Sequence, residues 1–568
     1  MFKKFFLSFF IFLVSFVLIS IGIKWGLPSS KRSKLIIEKN QSSIALEKIK
    51  NVLNGDNWKS SHQTAYFKDD IKFLLNIIRT YQPDEQYILK ALASMKPAKL
   101  NFDPNFYIYP AFLIYLTGVL IKIFHIFGLV ILIPDIYFYY LNPDEFARLF
   151  LIGRFICAAF GACISILVFL ITKKIYNQKN IVFFSTLLII FLPLNIYWSK
   201  FLSSDIPAAF FSLLTLYFCI ILINNKDLKT YIFCCISIGL ALSSKYTSLP
   251  IFFVFFVAHL FNNSKILNKH FIFSCILSII IFLCINPYLL LSFKKVFIDF
   301  QTIKNVKEFG WGYNSLFIPP MFINIFSSLI YNGLGLLYTI LAALTLILSP
   351  FLFWRSKEKI ILIIYIFIYY LFYATSKYVA YHYLLIFIPV LNIIMVDIII
   401  KFTKKFSYFI LAFIFISFIT YDFIYFNYFL NIDTRYETGL WIKNNIPKFS
   451  TIGHYDSSIA YNSPPINIFN YYLLNIKSKD ELLKQKPDYF FLSNYIVRHY
   501  FRLKDKMKIN EFALIDYLFN SNEYKIIYDK KYPLQLFCFK LNKTPTITDD
   551  MLHLNPEFII FKRTDLSF

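Results

Sequence analysis

The sequence has 568 residues, of which 58% are hydrophobic, 20% are aromatic and only 16% are charged. This composition excludes an ordinary soluble enzyme and predicts a polytopic α-helical membrane protein, with the lipid bilayer as the solvent for most of the fold. The formal net charge of +25 would suit a nucleic-acid partner, but Lys and Arg cluster mainly between apolar runs and in the last third of the chain, so we expect no nucleic-acid binding.

Apolar runs that could cross a bilayer recur along the chain, starting near the N-terminus. A span needs roughly 20 apolar residues. Residues 1–25 begin with a basic pair and have no small-residue cleavage site after the apolar run, which predicts a retained signal anchor. About eleven spans are predicted in all, at residues 5–25, 149–172, 181–197, 206–223, 230–243, 249–262, 270–286, 322–352, 360–375, 383–400 and 406–428.

Several short loops between these runs are basic and should therefore face the cytoplasm. The alternate connections then lie outside, at residues 26–148, 197–205, 243–248, 286–321, 374–382 and everything after 431. Residues 110–132 are apolar enough to cross, but counting them as a span would place a basic loop outside. We predict that this segment lies at the outer interface or re-enters it.

The last part of the chain changes character, because its apolar runs are too short to span. Residues 489–492 and 524–528 have strand lengths, and residues 441–447 resemble a helix end before a strand at 450–454. These patterns predict a small α/β domain outside the membrane, residues 431–568. It follows a transmembrane module, residues 1–430, whose outer loop 26–148 carries an acidic motif.

The acidic motif is Pro83-Asp84-Glu85. A carboxylate near the outer surface could take a proton from an acceptor hydroxyl, and transfer from a phosphate ester needs only one such base. The alternative is a helix start, since Asp and Glu favour the first turn and the same tripeptide recurs at Pro143-Asp144-Glu145. Asp205, with Pro207 two residues later, is either the N-cap of a span or a second carboxylate of a site.

Cationic residues share the predicted outer side. Lys245 lies in a hairpin between spans, where phosphate binding and snorkelling to the headgroups are both open. Lys377 and His382 lie in the next outer turn among tyrosines. Arg154 lies one turn into its span, where a buried partner or a phosphate is expected rather than lipid. Together these groups could hold an anionic lipid headgroup beside a base.

The order of these features resembles the GT-C glycosyltransferases, in particular the group of protein O-mannosyltransferases and lipid A aminoarabinose transferases. The features are Asp84-Glu85, Asp103 to Pro110, Arg154, Asp205-Ile206-Pro207, Ser244-Lys245-Tyr246-Thr247, Asn286-Pro287-Tyr288 and Lys377 to Pro389. The resemblance implies a polyprenyl-phosphate-sugar donor, an acceptor that is a glycan, a lipid or a protein, and inversion at the anomeric carbon.

Residue roles follow from the same resemblance. It implies that Asp84 is the catalytic acid/base residue with Glu85 beside it, and that Asp205 is a second carboxylate of the site. Separately from the resemblance, the shared outer side of Lys245, Lys377, His382 and Arg154 predicts that they bind the donor phosphate, and we assign the acceptor or sugar to Tyr87, Tyr109 and Tyr246.

Two departures leave the sugar and the acceptor open. Pro83 stands where eukaryotic protein mannosyltransferases commonly carry His-Phe, and His382 stands where Arg is frequent. No ligand cluster is evident, which predicts metal independence and no cofactor. The expected location is a bacterial inner membrane with the site facing the periplasm or exterior. A transporter of lipid-linked substrates without catalysis and a noncatalytic scaffold remain alternatives.

Overall fold

In the computed structural model the described residues are 2–53, 69–225, 227–262, 266, 268–308, 322–376, 379–431, 433–455, 460–494, 497, 509–530, 535–536, 539–540, 554 and 556–566. Helices dominate, and a small sheet lies near the C-terminus, which confirms the predicted fold class of a polytopic α-helical membrane protein. Among the described residues, five helices are long and apolar enough to cross a bilayer. The total of about eleven spans stays a prediction.

The α-helices include many that coincide with apolar runs of the sequence. In chain order they are α1 Phe2–Ser20, α2 Ser30–Ile36, α3 Ser42–Leu53, α4 Asp69–Leu75, α5 Glu85–Ser94, α6 Phe112–Ile126, α7 Ile136–Leu141, α8 Pro143–Ile175, α9 Lys179–Ile190, α10 Pro193–Trp198, α11 Asp205–Leu222, α12 Leu228–Ser244, α13 Ile251–Asn262, α14 Lys269–Ile285, α15 Tyr288–Leu291, α16 Phe293–Glu308, α17 Tyr331–Leu334, α18 Leu336–Phe353, α19 Lys357–Ala374, α20 Ile388–Thr403, α21 Ser407–Asn431, α22 Thr434–Asn445, α23 Lys479–Gln485 and α24 Ile509–Asn520.

The strands lie in the C-terminal part of the chain. They are β1 Thr451–His454, β2 Tyr472–Asn475, β3 Tyr489–Ser493, β4 Tyr524–Lys530, β5 Gln535–Leu536, β6 Phe539–Lys540 and β7 Phe558–Arg563. Five of them form one sheet in the order β2-β1-β3-β7-β4, in which β1 is parallel to β2 and β3, and β7 is antiparallel to β3 and β4. Ile452, Phe491 and Ile560 are buried in a core that also includes Ile442 of α22 and Ile446, the residue after this helix.

The span predicted at residues 322–352 is not a single helix, so this prediction was wrong. Residues 322–352 contain a π-helix at Ile325–Ile330, the short α17 and then α18. The break falls at Gly335, whose φ of +87° lies in the left-handed region that favours glycine. Hydropathy reports only that a run is apolar, so it could not detect this turn.

The described chain forms two compact units. The first consists of Met1–Ile23, Ala91–Leu120 and Ile152–Phe426, and the second consists of Lys24–Lys90, Ile121–Leu151 and Asn427–Phe568. The stretch around Asp84 therefore belongs to the same unit as the C-terminal sheet. The predicted boundary between residues 430 and 431 stays a prediction.

Helix α11 is the centre of the first unit. It packs against α12, α13, α19 and a 3₁₀ turn at Tyr381–Ile386, while α12 also packs against α14. The N-terminal end of α11, the C-terminal end of α12 and the 3₁₀ turn thus converge, and they carry Asp205, Lys245 and His382.

Candidate functional site

Three ionisable side chains meet at the N-terminal end of α11. The Lys245 ammonium donates a hydrogen bond to Oδ1 of Asp205 at 2.5 Å, and Nε2 of His382 lies 3.5 Å from Oδ2 of the same carboxylate. All three residues are buried. Ser203 supports the carboxylate by donating to Oδ2 from its hydroxyl at 3.1 Å. Polar residues that the sequence separates widely therefore form one cluster.

The position of Asp205 differs from an N-cap. Ser204 occupies the N-cap position, and Asp205 is the first residue of α11. The positive end of the helix dipole favours a carboxylate there. Its oxygens bind Lys245 and Ser203, so the interpretation of Asp205 as an N-cap was wrong by one residue.

Aromatic rings surround the ion pair. The Lys245 ammonium lies 4.0 Å from the ring centroid of Tyr383 and 5.8 Å from that of Tyr109. The indole of Trp198 lies 4.2 Å from the His382 ring. Desolvated cation–π contacts are worth about 2 kcal/mol, and they hold the cation without neutralising it. Sequence reasoning missed Trp198 because a tryptophan at a span end is usually a membrane-belt residue.

The loop between α10 and α11 is held closely against α8. A Cβ at Gly161 would lie 2.3 Å from the Ser199 hydroxyl oxygen, and a Cβ at Gly153 would lie 2.6 Å from Leu202. Gly153 and Gly161 are separated by eight residues, so they share one face of α8. The two glycines allow the loop that bears Ser203 to approach the helix closely.

Tyr109 belongs to a segment that is fixed by hydrogen bonds. The Asp103 carboxylate accepts from the Tyr107 hydroxyl at 2.5 Å and from the Ser292 hydroxyl at 2.8 Å. The Tyr107 N–H donates to Asp299 at 2.9 Å. The Asp103 to Pro110 stretch thus lies against residues 286–299, which carry the Asn-Pro-Tyr motif.

Tyr246 and Asn286 strengthen the same connection. The Tyr246 hydroxyl donates to the carbonyl of Tyr107 at 3.1 Å. The Asn286 side chain accepts from the Ala111 N–H at 2.7 Å and donates to the Ser243 hydroxyl at 3.1 Å. Tyr246, predicted to bind the acceptor or sugar, therefore also supports the segment that carries Tyr109.

Arg154 binds the end of the first helix. Its Nη1 donates to the carbonyl of Ile23 at 2.6 Å, and its guanidinium lies 5.2 Å from the Phe201 ring centroid. Lys200, which sequence reasoning did not select, donates to the carbonyl of Ile21 at 2.9 Å. Two buried cations thus face the carbonyls that follow α1.

The acidic motif lies in the second unit. Asp84 precedes α5, its N–H donates to the Gln82 side chain at 2.6 Å, and its carbonyl accepts from the Tyr87 N–H at 3.1 Å. Asp84 is partly exposed, whereas Glu85 is fully buried. Burial and the neighbouring Asp84 carboxylate raise the pKa of Tyr87, which keeps its hydroxyl protonated and able to donate.

The remaining predictions concern Lys377 and metals. Lys377 lies outside the described residues. No group of three or more His, Cys, Asp or Glu side chains able to hold a metal occurs in the part of the chain that the structure describes. Metal independence stays a prediction.

A family model matches the centre of the chain. Residues 146–290 match the family described as dolichyl-phosphate-mannose-protein mannosyltransferase. This match supports the predicted resemblance over that segment. The matched segment contains Arg154, Asp205, Lys245 and Tyr246, while Asp84 and His382 lie outside it.

Solved structures with low similarity to the chain include an ArnT and an oligosaccharyltransferase. ArnT from Cupriavidus metallidurans in the apo state is 12% identical, with 96% of each chain covered and a TM-score of 0.41; the same protein bound to undecaprenyl phosphate is 11% identical, with 98% of each chain covered and a TM-score of 0.38. The apo oligosaccharyltransferase of Archaeoglobus fulgidus is 12% identical, with 84% of each chain covered and a TM-score of 0.40. No curated protein sequence matches the chain. Similarity at this level supports no residue-by-residue correspondence.

Proposed function

We propose that the protein is a membrane glycosyltransferase that moves a sugar from a polyprenyl-phosphate donor to an acceptor hydroxyl at the outer face of the membrane. The observation that carries this proposal is the buried cluster of Asp205, Lys245 and His382. Asp205 and Lys245 lie in the segment that matches a family named for a dolichyl-phosphate-linked sugar. Ionisable groups buried in a membrane protein are costly and usually functional.

The geometry of Lys245 suits a phosphate ligand. Among the described residues its ammonium makes one hydrogen bond, to Asp205, and an ammonium has three N–H donors. The carboxylate thus fixes the position of the cation and leaves two donors for another acceptor. The cation–π contact with Tyr383 restricts the ammonium further without supplying a competing hydrogen-bond acceptor.

The proposed reaction has one base and one anionic leaving group. Asp84 takes the proton of the acceptor hydroxyl as its oxygen forms a bond to the anomeric carbon. The bond from that carbon to the phosphate oxygen breaks, and its electron pair leaves with the polyprenyl phosphate. Attack opposite the leaving group inverts the anomeric carbon.

Charge on the phosphate grows as its bond to the sugar breaks. Lys245, His382, Arg154 and Lys377 are the proposed partners of this phosphate. Fixed cations in a dry site stabilise developing charge more than water does, because they need not reorganise. Asp205 is proposed to orient Lys245, and transfer is proposed to need no metal.

The polar and aromatic residues proposed for the sugar or acceptor are Tyr87, Tyr109 and Tyr246. The Tyr87 hydroxyl remains protonated and can donate. Tyr109 lies at the edge of the ion-pair cluster. The identity of the sugar, hexosyl or pentosyl, and that of the acceptor are left to experiment.

The repeated Pro-Asp-Glu tripeptide supplies a matched test of the base. Asp84→Asn removes the group that accepts the proton, while volume and hydrogen-bonding capacity change little. Base catalysis contributes roughly 10²–10⁴-fold in rate, so turnover of a radiolabelled polyprenyl-phosphate sugar should fall by about that factor while donor binding persists.

Asp144→Asn is the control. Asp144 lies in the first turn of α8, and its side chain accepts hydrogen bonds from the backbone N–H and the hydroxyl of Ser30. An Asn side chain can still accept these bonds through its carbonyl oxygen, so turnover should stay near wild type. Near-normal turnover by Asp84→Asn would reject Asp84 as the base, whereas no turnover by the wild-type chain would favour a transporter of lipid-linked substrates.

A further inference from the structure

Tyr81, three residues before Asp84, lies within cation–π distance of two guanidinium groups. The Arg435 guanidinium lies 4.1 Å from the ring centroid of Tyr81, and that of Arg32 lies 4.9 Å from it. The Tyr81 hydroxyl donates to Oδ2 of Asp433 at 3.1 Å. All these contacts lie within the second unit. These contacts therefore fix both the ring and the hydroxyl of Tyr81.

Arg435 and Asp433 belong to the start of α22. Oδ1 of Asp433 accepts from the backbone N–H groups of Arg435 and Tyr436, so Asp433 caps the helix. The Arg435 guanidinium also donates from Nε at 3.0 Å and from Nη2 at 2.7 Å to the carbonyl of Tyr461. The groups that hold Tyr81 are thus themselves fixed in the C-terminal region.

Hydrogen bonds also fix the backbone of Tyr81 and of the residues just before it. The Tyr81 N–H donates to the carbonyl of Gly26 at 2.9 Å. Nη2 of Arg32 donates to the carbonyls of Ile77, at 3.4 Å, and of Arg79. Gly26 has a φ of +68°, and a Cβ there would lie 2.9 Å from Tyr81, so only glycine fits this close approach.

Hydrogen bonds connect Tyr81 to the acidic motif. The Thr80 hydroxyl donates to the carbonyl of Gln82 at 2.6 Å, and the Gln86 side chain donates to the carbonyl of Thr80 at 3.2 Å. The Gln82 side chain in turn accepts from the Asp84 N–H. A continuous set of bonds therefore runs from α22 through residues 80–82 to the backbone of Asp84.

We propose that the C-terminal region positions the acidic motif through this clamp, with Arg435 and Asp433 as positioning residues for Asp84. The inference rests on the proposed function in assigning a reaction to Asp84. A general base must be held within hydrogen-bond reach of its proton, and a displacement of 1 Å can cost about 10²-fold in rate. Ordering of residues 77–86 is the physical consequence of the clamp, and it can be measured without any substrate.

Arg435→Lys tests the clamp with little change in charge. Lys lacks the planar fork that stacks on an aromatic ring and binds one carbonyl through two N–H groups. Arg563→Lys is the matched control, because Arg563 also lies in the C-terminal region and donates to Asp565 and to the carbonyl of Lys486. Tyr81→Phe, which removes the hydroxyl that donates to Asp433, is the second variant, and Tyr524→Phe, which removes a hydroxyl that donates to the carbonyl of Pro487, is its buried control.

Hydrogen exchange of the purified full-length chain is the first measurement. Arg435→Lys and Tyr81→Phe should raise exchange in residues 77–86 about tenfold, and the two controls should not. Turnover is the second measurement. The two clamp variants should lower kcat about tenfold with little change in KM for the lipid-linked donor, because the base is displaced while the donor site is intact.

The outcomes separate the clamp from the reaction. Unchanged exchange in residues 77–86 in both clamp variants would overturn the clamp. Raised exchange with normal kcat would overturn the positioning role. If the wild-type chain transfers no sugar, the proposed function fails, while the exchange data still decide whether the C-terminal region orders the motif.

Discussion

The buried pair of Asp205 and Lys245 is expected to respond differently to single and double substitution. Asp205→Asn leaves the Lys245 charge buried without its carboxylate, and Lys245→Met leaves the carboxylate without its ammonium. The double variant Asp205→Asn/Lys245→Met buries no unpaired charge from this pair. Folding should therefore suffer in the single variants and largely recover in the double variant.

The magnitude follows from the burial and the distance. The side chains of Lys245 and Asp205 are exposed by 8% and 9%, and their charged atoms lie 2.5 Å apart. Removing one partner of such a pair costs about 3–5 kcal/mol, whereas replacing both partners is often nearly neutral. Both single variants should lose thermal stability, and the loss should be smaller in Lys245→Met because Nε2 of His382 lies 3.5 Å from the remaining carboxylate.

A second ion pair, between half-buried Lys359 and buried Asp397, supplies the control for turnover. Nζ of Lys359 lies 2.6 Å from Oδ2 of Asp397, in the same unit. The double variant Lys359→Met/Asp397→Asn should recover both thermal stability and turnover. The double variant at Asp205 and Lys245 should recover stability alone, because the proposed phosphate contact is lost.

Thermal midpoints from fluorescence-detected size exclusion and turnover with a radiolabelled polyprenyl-phosphate sugar would be measured for all variants. Charge-assisted contacts to a phosphate are worth about 1.5–3 kcal/mol each. Loss of Lys245 should therefore raise KM for the donor about tenfold to hundredfold. Recovery of normal KM in the Asp205 and Lys245 double variant would refute the phosphate role and leave a purely structural ion pair.

Two further predictions concern the loop against α8 and the orientation in the membrane. Gly161→Ala should lower thermal stability and turnover, because its Cβ would lie 2.3 Å from the Ser199 hydroxyl oxygen. Adding Ser199→Gly should restore both stability and turnover. A double variant that recovers neither would contradict the proposed clash. On a cysteine-free background, Cys at Asn101 should react with an impermeant thiol reagent in intact spheroplasts while Cys at Lys173 stays protected, and the reverse pattern would reject the predicted topology.

Three strands of the C-terminal region were predicted from the sequence, whereas β2, β5, β6 and β7 were not. Residues 489–492 and 524–528 form most of β3 and β4, and the predicted strand at 450–454 is β1. Their boundaries were visible because short apolar runs end at charged residues. The order of strands in the sheet was not visible, because β7 lies between β3 and β4 in space but follows both in the chain.

The polar members of the site could be found from the sequence, but their pairing could not. Asp205 and Lys245 each stand out as a charge beside an apolar run, yet they are 40 residues apart in the chain. Their contact depends on the packing of α11 against α12 and on the place where each helix ends. Tyr383 and Trp198 carry no such signal, since aromatic residues at span ends are common.

Lys245 shows how the structure changes the interpretation of a charge. A lysine on the predicted outer side was explained equally well by a lipid headgroup or by a phosphate. The structure gives the ammonium a carboxylate and an aromatic ring and buries it, so snorkelling is not needed to explain its position. The carboxylate fixes the cation, and fixation of a cation in a dry environment is what a site for developing negative charge requires.

For Arg154, in contrast, the structure supplies a partner within the protein and weakens the case for a phosphate ligand. Its burial favoured either a partner within the protein or a phosphate, and the structure supplies the carbonyl of Ile23. Lys200 binds the carbonyl of Ile21 beside it, so two cations face the negative end of α1, where the helix dipole stabilises positive charge. Burial of Arg154 is therefore explained without a ligand. Among the described residues the Lys245 ammonium has one hydrogen-bond acceptor, Asp205, so two of its three N–H donors remain for a ligand. Of the proposed phosphate partners, Lys245 is the one whose substitution tests the donor site most directly.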